Sequence, residues 1–216
     1  MAHRNKKQIK YNVKQLNNYI IEKLQIGSNT KLGNNYIYHP KDSDELKKIV
    51  KKLIKERGNE ANLNDINTSK ITDMSYLFIN SKFNGDISEW NVSNVTNMEA
   101  MFAKSNFNGN ISEWDVSNVK NMKTMFYQSQ FNKDILKWNV SNIKDMSSMF
   151  AKSNFNGNIS KWDVSNVKNM HNMFYKTKFN GDISEWDVSN VKDINNMFYD
   201  SPLEKNPPKW YNEKNK

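Results

Sequence analysis

Apolar residues recur at a fixed interval of 24 along most of the chain, and this interval is shared by tryptophan, phenylalanine and methionine columns. The tryptophans are Trp90, Trp114, Trp138, Trp162, Trp186 and Trp210. A fixed period of this length is the sequence signature of a repeat protein. The pattern therefore assigns residues 66–209 to six consecutive copies of one 24-residue unit, of which the first copy is degenerate.

Two shorter periodicities alternate within each unit. Trp114 and Val116 are two residues apart, as on one face of a strand, whereas Val119, Met122 and Met125 follow the three-residue spacing of a helical turn. The pattern predicts an α/β fold in which each unit contributes a short parallel strand plus a helical or 3₁₀ turn. Because one such unit buries too little apolar surface to fold alone, we expect the six units to stack as a solenoid.

The first 65 residues predict a basic helical segment that covers the first coil. Residues 8–25 and Ser43 to Arg57 have helical apolar spacing, and Gly58 is placed to end the second helix. Tyr36 to Tyr38 is expected to form a short strand. The second helix carries an apolar stripe that must cover a hydrophobic surface: Leu46, Ile49, Val50, Leu53 and Ile54. Residues 210–216 are predicted to be a C-terminal tail. Because few residues follow the sixth unit to cover its apolar side, the sequence predicts either a monomer or an end-to-end dimer.

Two polar positions of the unit have expected structural roles. A Ser-Asn pair recurs in every complete unit, as at Ser93 and Asn94, and its Asn or Ser side chain is expected to bond backbone groups from one coil to the next. Glycine follows Phe-Asn at Gly85, Gly109, Gly157 and Gly181. These glycines predict either a positive φ or a close approach of neighbouring atoms.

The unit, W-[DN]-V-S-N-V-x-x-M-x-x-M-F-x-x-x-x-F-N, resembles the BspA-like leucine-rich repeats of bacterial surface proteins, which are also found in mycoplasma lipoproteins. The segment Ile111-x-x-Trp114-x-Val116 is similar to the L-x-x-L-x-L core of leucine-rich repeats. The resemblance covers about two thirds of the chain. It implies parallel strands along one side of a curved solenoid, and a role in adhesion or protein binding.

The net charge of +9 is concentrated before the repeats, where residues 1–65 hold 14 Lys and Arg against 7 Asp and Glu. The second predicted helix carries five of these lysines: Lys47, Lys48, Lys51, Lys52 and Lys55. They support an alternative function as a nucleic-acid or anionic-surface binder. A solvated helix face is the favoured interpretation, because the segment contains no nucleic-acid-binding motif.

The sequence offers little material for catalysis. It has no cysteine, and His3, His39 and His171 are isolated, without metal-ligand spacing or a nucleophile partner. We therefore expect a non-enzyme without metal or cofactor. Because no apolar stretch of signal-peptide or membrane-spanning length follows the basic N-terminus, the sequence predicts a cytoplasmic protein.

Outward positions that differ between copies are the candidate binding residues, since a repeat fixes its core and varies its surface. The residues on either side of each tryptophan are expected to form a stripe on the concave side, which we call the tryptophan-flanking stripe: Glu89, Asn91, Glu113, Asp115, Lys137, Asn139, Lys161, Asp163, Glu185 and Asp187. A second candidate is the tyrosine column, Tyr127, Tyr175 and Tyr199. The resulting hypothesis is a protein-binding scaffold, either adhesin-like or an intracellular adaptor or inhibitor.

Overall fold

The repeat units form successive coils that lie against one another in parallel. The computed structural model describes residues 36–214, with helices α1 at Ser43–Arg57, α2 at Pro202–Lys205 and α3 at Lys209–Lys214. Between α1 and α2, single-residue parallel bridges link neighbouring coils at a constant offset of 24 residues: Asp73 to Asn97, Asn97 to Asn121, Asn121 to Asp145, Asp145 to Asn169, and Asn169 to Asp193. Each unit is therefore one coil of a regular stack.

Four backbone hydrogen bonds join each coil to the next in the segment that follows the bridge residue. In the second coil, N–H groups donate to carbonyls 23 residues ahead, from Met98 to Asn121, Ala100 to Lys123, Phe102 to Met125 and Lys104 to Tyr127. The same four bonds, with lengths of 2.7–3.1 Å, join every pair of coils between Met74 and Tyr199. All of these donors point toward the C-terminal end of the stack, so the peptide dipoles of this segment are aligned, as they are in a helix.

Within each unit, the extended and turning segments do not lie where the sequence predicts them. The five bridges from Asp73 to Asp193 lie at Asn121 and its equivalents, inside the segment expected to be helical, and no helix occurs between α1 and α2. Trp114 and Val116 lie between two turns rather than on a strand. The three-residue spacing of Met122 and Met125 arises from a hydrogen-bonded turn of 3.1 Å. Because alternate N–H groups bond the next coil, they are not available for a helix.

Positive φ values occur at residues other than the predicted glycines. They form two columns with φ of 52–61°: Tyr76, Ala100, Thr124, Ser148, Asn172 and Asn196, then Asn80, Lys104, Gln128, Lys152, Lys176 and Asp200. The repeat glycines have no positive φ among the described residues. A Cβ at Gly109 would lie 2.8 Å from the Phe107 ring, so close approach is the reason for glycine there. Left-handed backbone at residues with a Cβ costs about 1–2 kcal/mol each, a strain that the inter-coil bonds hold in place.

The core is a stack of aromatic columns. Phe102 and Phe126 lie 5.6 Å apart between ring centroids, and Phe107 and Phe131 lie 6.4 Å apart, with nearly parallel planes in both pairs. Each tryptophan is also bonded through its indole N–H to a carbonyl of the preceding coil, as from Trp138 to Ile111 at 3.0 Å. The buried indole therefore contributes apolar surface and a bond between coils.

The expected role of the Ser-Asn pair is confirmed for its asparagine. The Nδ2 group of Asn118 donates to the carbonyl of Ser93 in the preceding coil at 2.8 Å, and Asn94, Asn142, Asn166 and Asn190 make the equivalent bond. At the end of this column Lys214, which lies 24 residues after Asn190, donates its ammonium to the carbonyls of Ser189 and Val191. A lysine thus takes the place of the next asparagine.

Helix α1 has the bounds that the sequence predicts. The Asp42 carboxylate accepts a bond from the Glu45 N–H at its start, and the Gly58 N–H donates to Ile54 at its end. Leu46, Val50 and Leu53 are buried in the same apolar core as the first coil, while Ile49 and Ile54 pack against it half-buried. Tyr38 forms a parallel bridge with Ile66. The other expected helix, over residues 8–25, lies outside the described residues.

The C-terminal end is more fully covered than the sequence suggested. Leu203 of α2 is buried, and Trp210 and Tyr211 of α3 are half-buried against Phe198. The Trp210 indole donates to the Ile183 carbonyl at 2.9 Å and so continues the tryptophan column. The predicted boundary at residue 210 therefore cuts through a helix that belongs to the stack.

Trp138→Ala is expected to destabilise the protein by at least about 3–5 kcal/mol, because it leaves a cavity at the central coil of the stack. Trp138→Phe keeps most of the apolar surface but leaves the Ile111 carbonyl without its donor, which costs about 1–3 kcal/mol. Urea denaturation followed by circular dichroism measures both changes. An unfolding midpoint of the alanine variant equal to that of the wild type would contradict burial of this indole.

Leu53→Asp is expected to destabilise the protein by more than about 3 kcal/mol, because it places an unpaired carboxylate beneath α1. Lys52→Asp on the exposed side of the same helix is the matched control and should melt close to the wild type. Thermal melting and binding of a hydrophobic dye distinguish the two variants. Equal melting temperatures would mean that α1 does not cover the first coil.

Candidate interaction surfaces

All ten residues of the tryptophan-flanking stripe are exposed, but they lie on turns rather than on strands. The residue before each tryptophan, such as Glu113, lies at the tip of a turn closed by a bond from the Trp114 N–H to the Ile111 carbonyl. The residue after each tryptophan, such as Asp115, begins the next turn. The coil offset of 24 brings equivalent residues of neighbouring units together along the stack.

The five Asp and Asn residues of this stripe also hold the backbone. Asp163 accepts a bond from the Ser165 N–H at 3.0 Å, and Asn91, Asp115, Asn139 and Asp187 make the same contact with the serine two residues ahead. Hydrogen bonds from Ser165 lower the pKa of Asp163, and those from Ser189 lower the pKa of Asp187. These side chains therefore have a structural role as well as an outward position.

One ion pair crosses between coils within the tryptophan-flanking stripe. The Lys137 ammonium lies 2.9 Å from Glu113, and both side chains are about 70% exposed, at 71% and 69%. The hydrogen bond between them raises the pKa of Lys137 and lowers that of Glu113. Exposed pairs of this kind stabilise a fold weakly, so the pair mainly neutralises the central lysine of the stripe.

The tyrosine column is interleaved with two lysines that sequence reasoning missed. The Tyr175 and Tyr199 rings stack at 5.3 Å. The Lys152 ammonium lies 6.0 Å from the Tyr127 ring centroid and 5.8 Å from that of Tyr175, while the Lys176 ammonium lies 5.6 Å from Tyr175 and 5.9 Å from Tyr199. We call these five residues the tyrosine–lysine ladder. Its available sequence signal was the 24-residue spacing of the two lysines.

Of the two lysines of the ladder, only Lys176 is paired with a carboxylate among the described residues. The Lys176 ammonium lies 3.5 Å from the Asp200 carboxylate, and its pKa is raised by Tyr175 and then by Asp200. Lys152 has no carboxylate partner among residues 36–214. Both lysines are exposed, and both adopt a positive φ. The ladder is thus a cationic and aromatic surface.

Comparison with known families places the chain. A family model described as "Mycoplasma protein of unknown function, DUF285" matches residues 45–154 and again residues 128–215. The chain belongs to this family. Two overlapping matches of one model agree with the internal repetition of the sequence. No curated protein and no solved structure matches the chain.

The described part of this DUF285 member contains little else that suggests chemistry. His171 is half-buried, with Nε2 at 2.9 Å from the Asn172 amide and Nδ1 at 3.7 Å from the Asp193 carboxylate. Within residues 36–214, no three His, Cys, Asp or Glu side chains are grouped as metal ligands. None of the helices there is long and apolar enough to span a bilayer.

The lysines of α1 form a separate basic surface of this family member. Lys48, Lys51, Lys52 and Lys55 are exposed and line one shallow groove with Glu56. Lys47 is half-buried on the same helix. The structure therefore brings together four of the five lysines that the sequence singled out.

Replacing Asp163 and Asp187 by Asn is expected to reduce the acid sensitivity of the fold. The folded-state pKa of each carboxyl is lowered, so its stabilisation is present above the unfolded pKa of about 3.9 and is lost as the pH falls through the folded pKa. An asparagine Oδ1 accepts the same N–H bond at every pH. Thermal melting at neutral pH and at about pH 3 should show a smaller difference for the double variant than for the wild type.

The reciprocal variant, Asn139→Asp, provides the matched control. It should add acid sensitivity at an equivalent turn while leaving the neutral melting temperature nearly unchanged. The same pH dependence in all three proteins would contradict a stabilising role for these carboxylates.

Proposed function

We propose that this DUF285 member is a non-catalytic protein-binding scaffold, adhesin-like or acting as an adaptor or inhibitor. The observation that carries the proposal is the combination of a constant backbone with a variable surface. The same four backbone bonds recur between coils, whereas the column at the ladder reads Ile79, Ala103, Tyr127, Ala151, Tyr175 and Tyr199. Such a framework positions different side chains at fixed intervals, which suits recognition of a partner surface.

The proposal includes the relationship to BspA-like leucine-rich repeats and a leucine-rich-repeat-like solenoid. Parallel bridges at a 24-residue offset and indole-to-carbonyl bonds between coils support it. In this chain the bridges between the repeats lie at Asn121 and its equivalents, immediately before Met122 and its equivalents.

A second candidate function is nucleic-acid or anionic-surface binding through α1. The exposed groove of Lys48, Lys51, Lys52 and Lys55 favours it, because clustered cations release counterions from a polyanion. Its aromatic content is low, and the groove contains Glu56. We rank it below protein binding for this reason.

Cytoplasmic residence and the oligomeric state stay predictions. The burial of apolar residues beneath α1 and against α3 leaves less exposed apolar surface at the ends of the stack, which favours a monomer over an end-to-end dimer.

Charge reversal separates the two candidate functions. A partner is first captured on the immobilised chain from lysates of the source organism or its host, identified by mass spectrometry and purified. If the tryptophan-flanking stripe binds it, Lys137→Glu with Lys161→Glu should weaken binding by about 1–3 kcal/mol per desolvated contact. Lys48→Glu with Lys52→Glu should then have little effect. Calorimetric titration at two salt concentrations measures the affinities.

The opposite outcome identifies the second candidate function. A nucleic-acid ligand should lose affinity only with the α1 variant, and its binding to the wild type should fall steeply with salt. All four lysines are exposed, so neither double variant should alter the fold. Unchanged binding of the captured protein by both variants would exclude both surfaces and direct attention to the tyrosine–lysine ladder.

A further inference from the structure

We infer that the tyrosine–lysine ladder is a docking site for an acidic segment of a partner protein. The inference rests on the proposed binding function and names the chemistry of its partner.

The cations of the ladder continue along the stack. Lys104 lies in the same column as Lys152 and Lys176, with the neutral Gln128 between them, and all four side chains are exposed. Their coils are successive, since the Lys104 N–H donates to Tyr127 and the Lys152 N–H donates to Tyr175. The only carboxylate of this column in the described coils is Asp200 at its C-terminal end. The row therefore carries three cations over four coils.

The tryptophan-flanking stripe has the opposite charge. It contains six carboxylates against two lysines, and Lys137 is paired with Glu113. A negatively charged partner is repelled by that stripe and attracted by the ladder, so charge complementarity favours the ladder over the stripe. The two surfaces lie on different segments of each coil, one flanking Trp and the other after the Met-Phe pair.

The ring geometry distinguishes an acidic peptide from a single-stranded nucleic acid. Nucleic-acid platforms leave aromatic faces open for stacking with bases. Here the faces of Tyr175 are occupied by the Tyr199 ring and by two lysine ammonium groups. The ammonium groups remain for contact, and they bind carboxylates through charge-assisted hydrogen bonds.

The dimensions fit a short extended segment. Neighbouring chains in a parallel ladder are about 4.8 Å apart, so the three coil steps from Lys104 to Lys176 span about 14 Å. An extended peptide rises about 3.3 Å per residue and covers that distance with about four to five residues. A segment with two or three carboxylates therefore matches the three lysines.

The repeats themselves supply substitutions that the backbone accepts. Gln128 occupies the lysine column with a φ of 54°, close to the 57° of Lys152 and the 53° of Lys176. Ala103 and Ala151 occupy the tyrosine column. Asn80 occupies the position of Asp200 with a φ of 56°. Changes of Lys to Gln, Tyr to Ala and Asp200 to Asn thus reproduce residues that equivalent coils already carry.

The test is fluorescence anisotropy with the full chain and a fluorescein-labelled peptide of alternating Glu and Ser. Lys152→Gln with Lys176→Gln should weaken binding at least about tenfold, and Tyr175→Ala with Tyr199→Ala should weaken it by a smaller factor. Asp200→Asn should strengthen binding about two- to threefold, because it removes a carboxylate that competes for Lys176. The matched control, Lys120→Gln with Lys144→Gln, removes two exposed lysines of neighbouring coils outside the ladder and should leave the affinity unchanged.

Several results would overturn the inference. These are no binding of the acidic peptide by the wild type, equal loss with the control pair, or tighter binding of a single-stranded oligothymidine than of the peptide. The strengthening by Asp200→Asn separates a contact from a fold defect, since a destabilised coil does not gain affinity. Circular dichroism of each variant provides the check on folding.

Failure of this inference is distinguishable from failure of the proposed function. A partner protein that binds the wild type and the Lys152→Gln, Lys176→Gln variant equally would leave the scaffold function intact and exclude the ladder. Peptide binding that depends on the ladder, together with an absence of any protein partner, would exclude the scaffold function instead.

Discussion

The inter-coil backbone hydrogen bonds are the interaction on which this molecule depends. One unit cannot offset the entropy of ordering its own chain, and the four bonds to the next coil, together with the stacked phenylalanine rings, make every coil conditional on its neighbours. These four bonds run in one direction. The corresponding N–H groups of the last coil therefore have no following coil to bond, and the corresponding carbonyls of the first coil have no preceding coil. The Glu204 carboxylate accepts from the Asp200 N–H at one end, and the Ser43 hydroxyl donates to the Asp73 carbonyl at the other. Terminal helices thus contribute polar groups as well as apolar cover.

The same bonds determine what the surface can do. A backbone repeated at a 24-residue offset places equivalent side chains in columns, so a single residue change alters one point of a regular row. At the tryptophan-flanking stripe the columns carry mostly carboxylates, several of which are committed to turns, as Asp163 is to Ser165. At the tyrosine–lysine ladder the rings and ammonium groups stack on one another without forming backbone turns through their side chains. The ladder side chains are therefore not required for backbone turns, whereas the five Asp and Asn side chains of the stripe are.

Strain at positive φ follows from this arrangement. Residues such as Lys152 and Thr124 adopt left-handed backbone although they have a Cβ, because the turn must present alternate N–H groups to the next coil. Positive φ values recur at two positions of each unit, and the second of these positions holds Lys104, Lys152 and Lys176. The strained turn is therefore also the segment that carries the lysines of the ladder.

The sequence by itself determined the period, the core columns, the bounds of α1 and the bond from the Ser-Asn pair, because each is a local or strictly repeated property. The asparagine of the pair could be assigned without coordinates, since any stacked coil leaves a carbonyl for it to bond. Tertiary structure alone decided where the parallel bridges lie, why Gly109 is glycine, and which lysines join Tyr127 and Tyr175. Three-residue spacing of Met122 and Met125 fits a helix and a series of turns equally well, and only the competition of the next coil for the N–H groups selects the turns. Contacts between residues of neighbouring coils, such as Lys152 with Tyr175, follow from that selection.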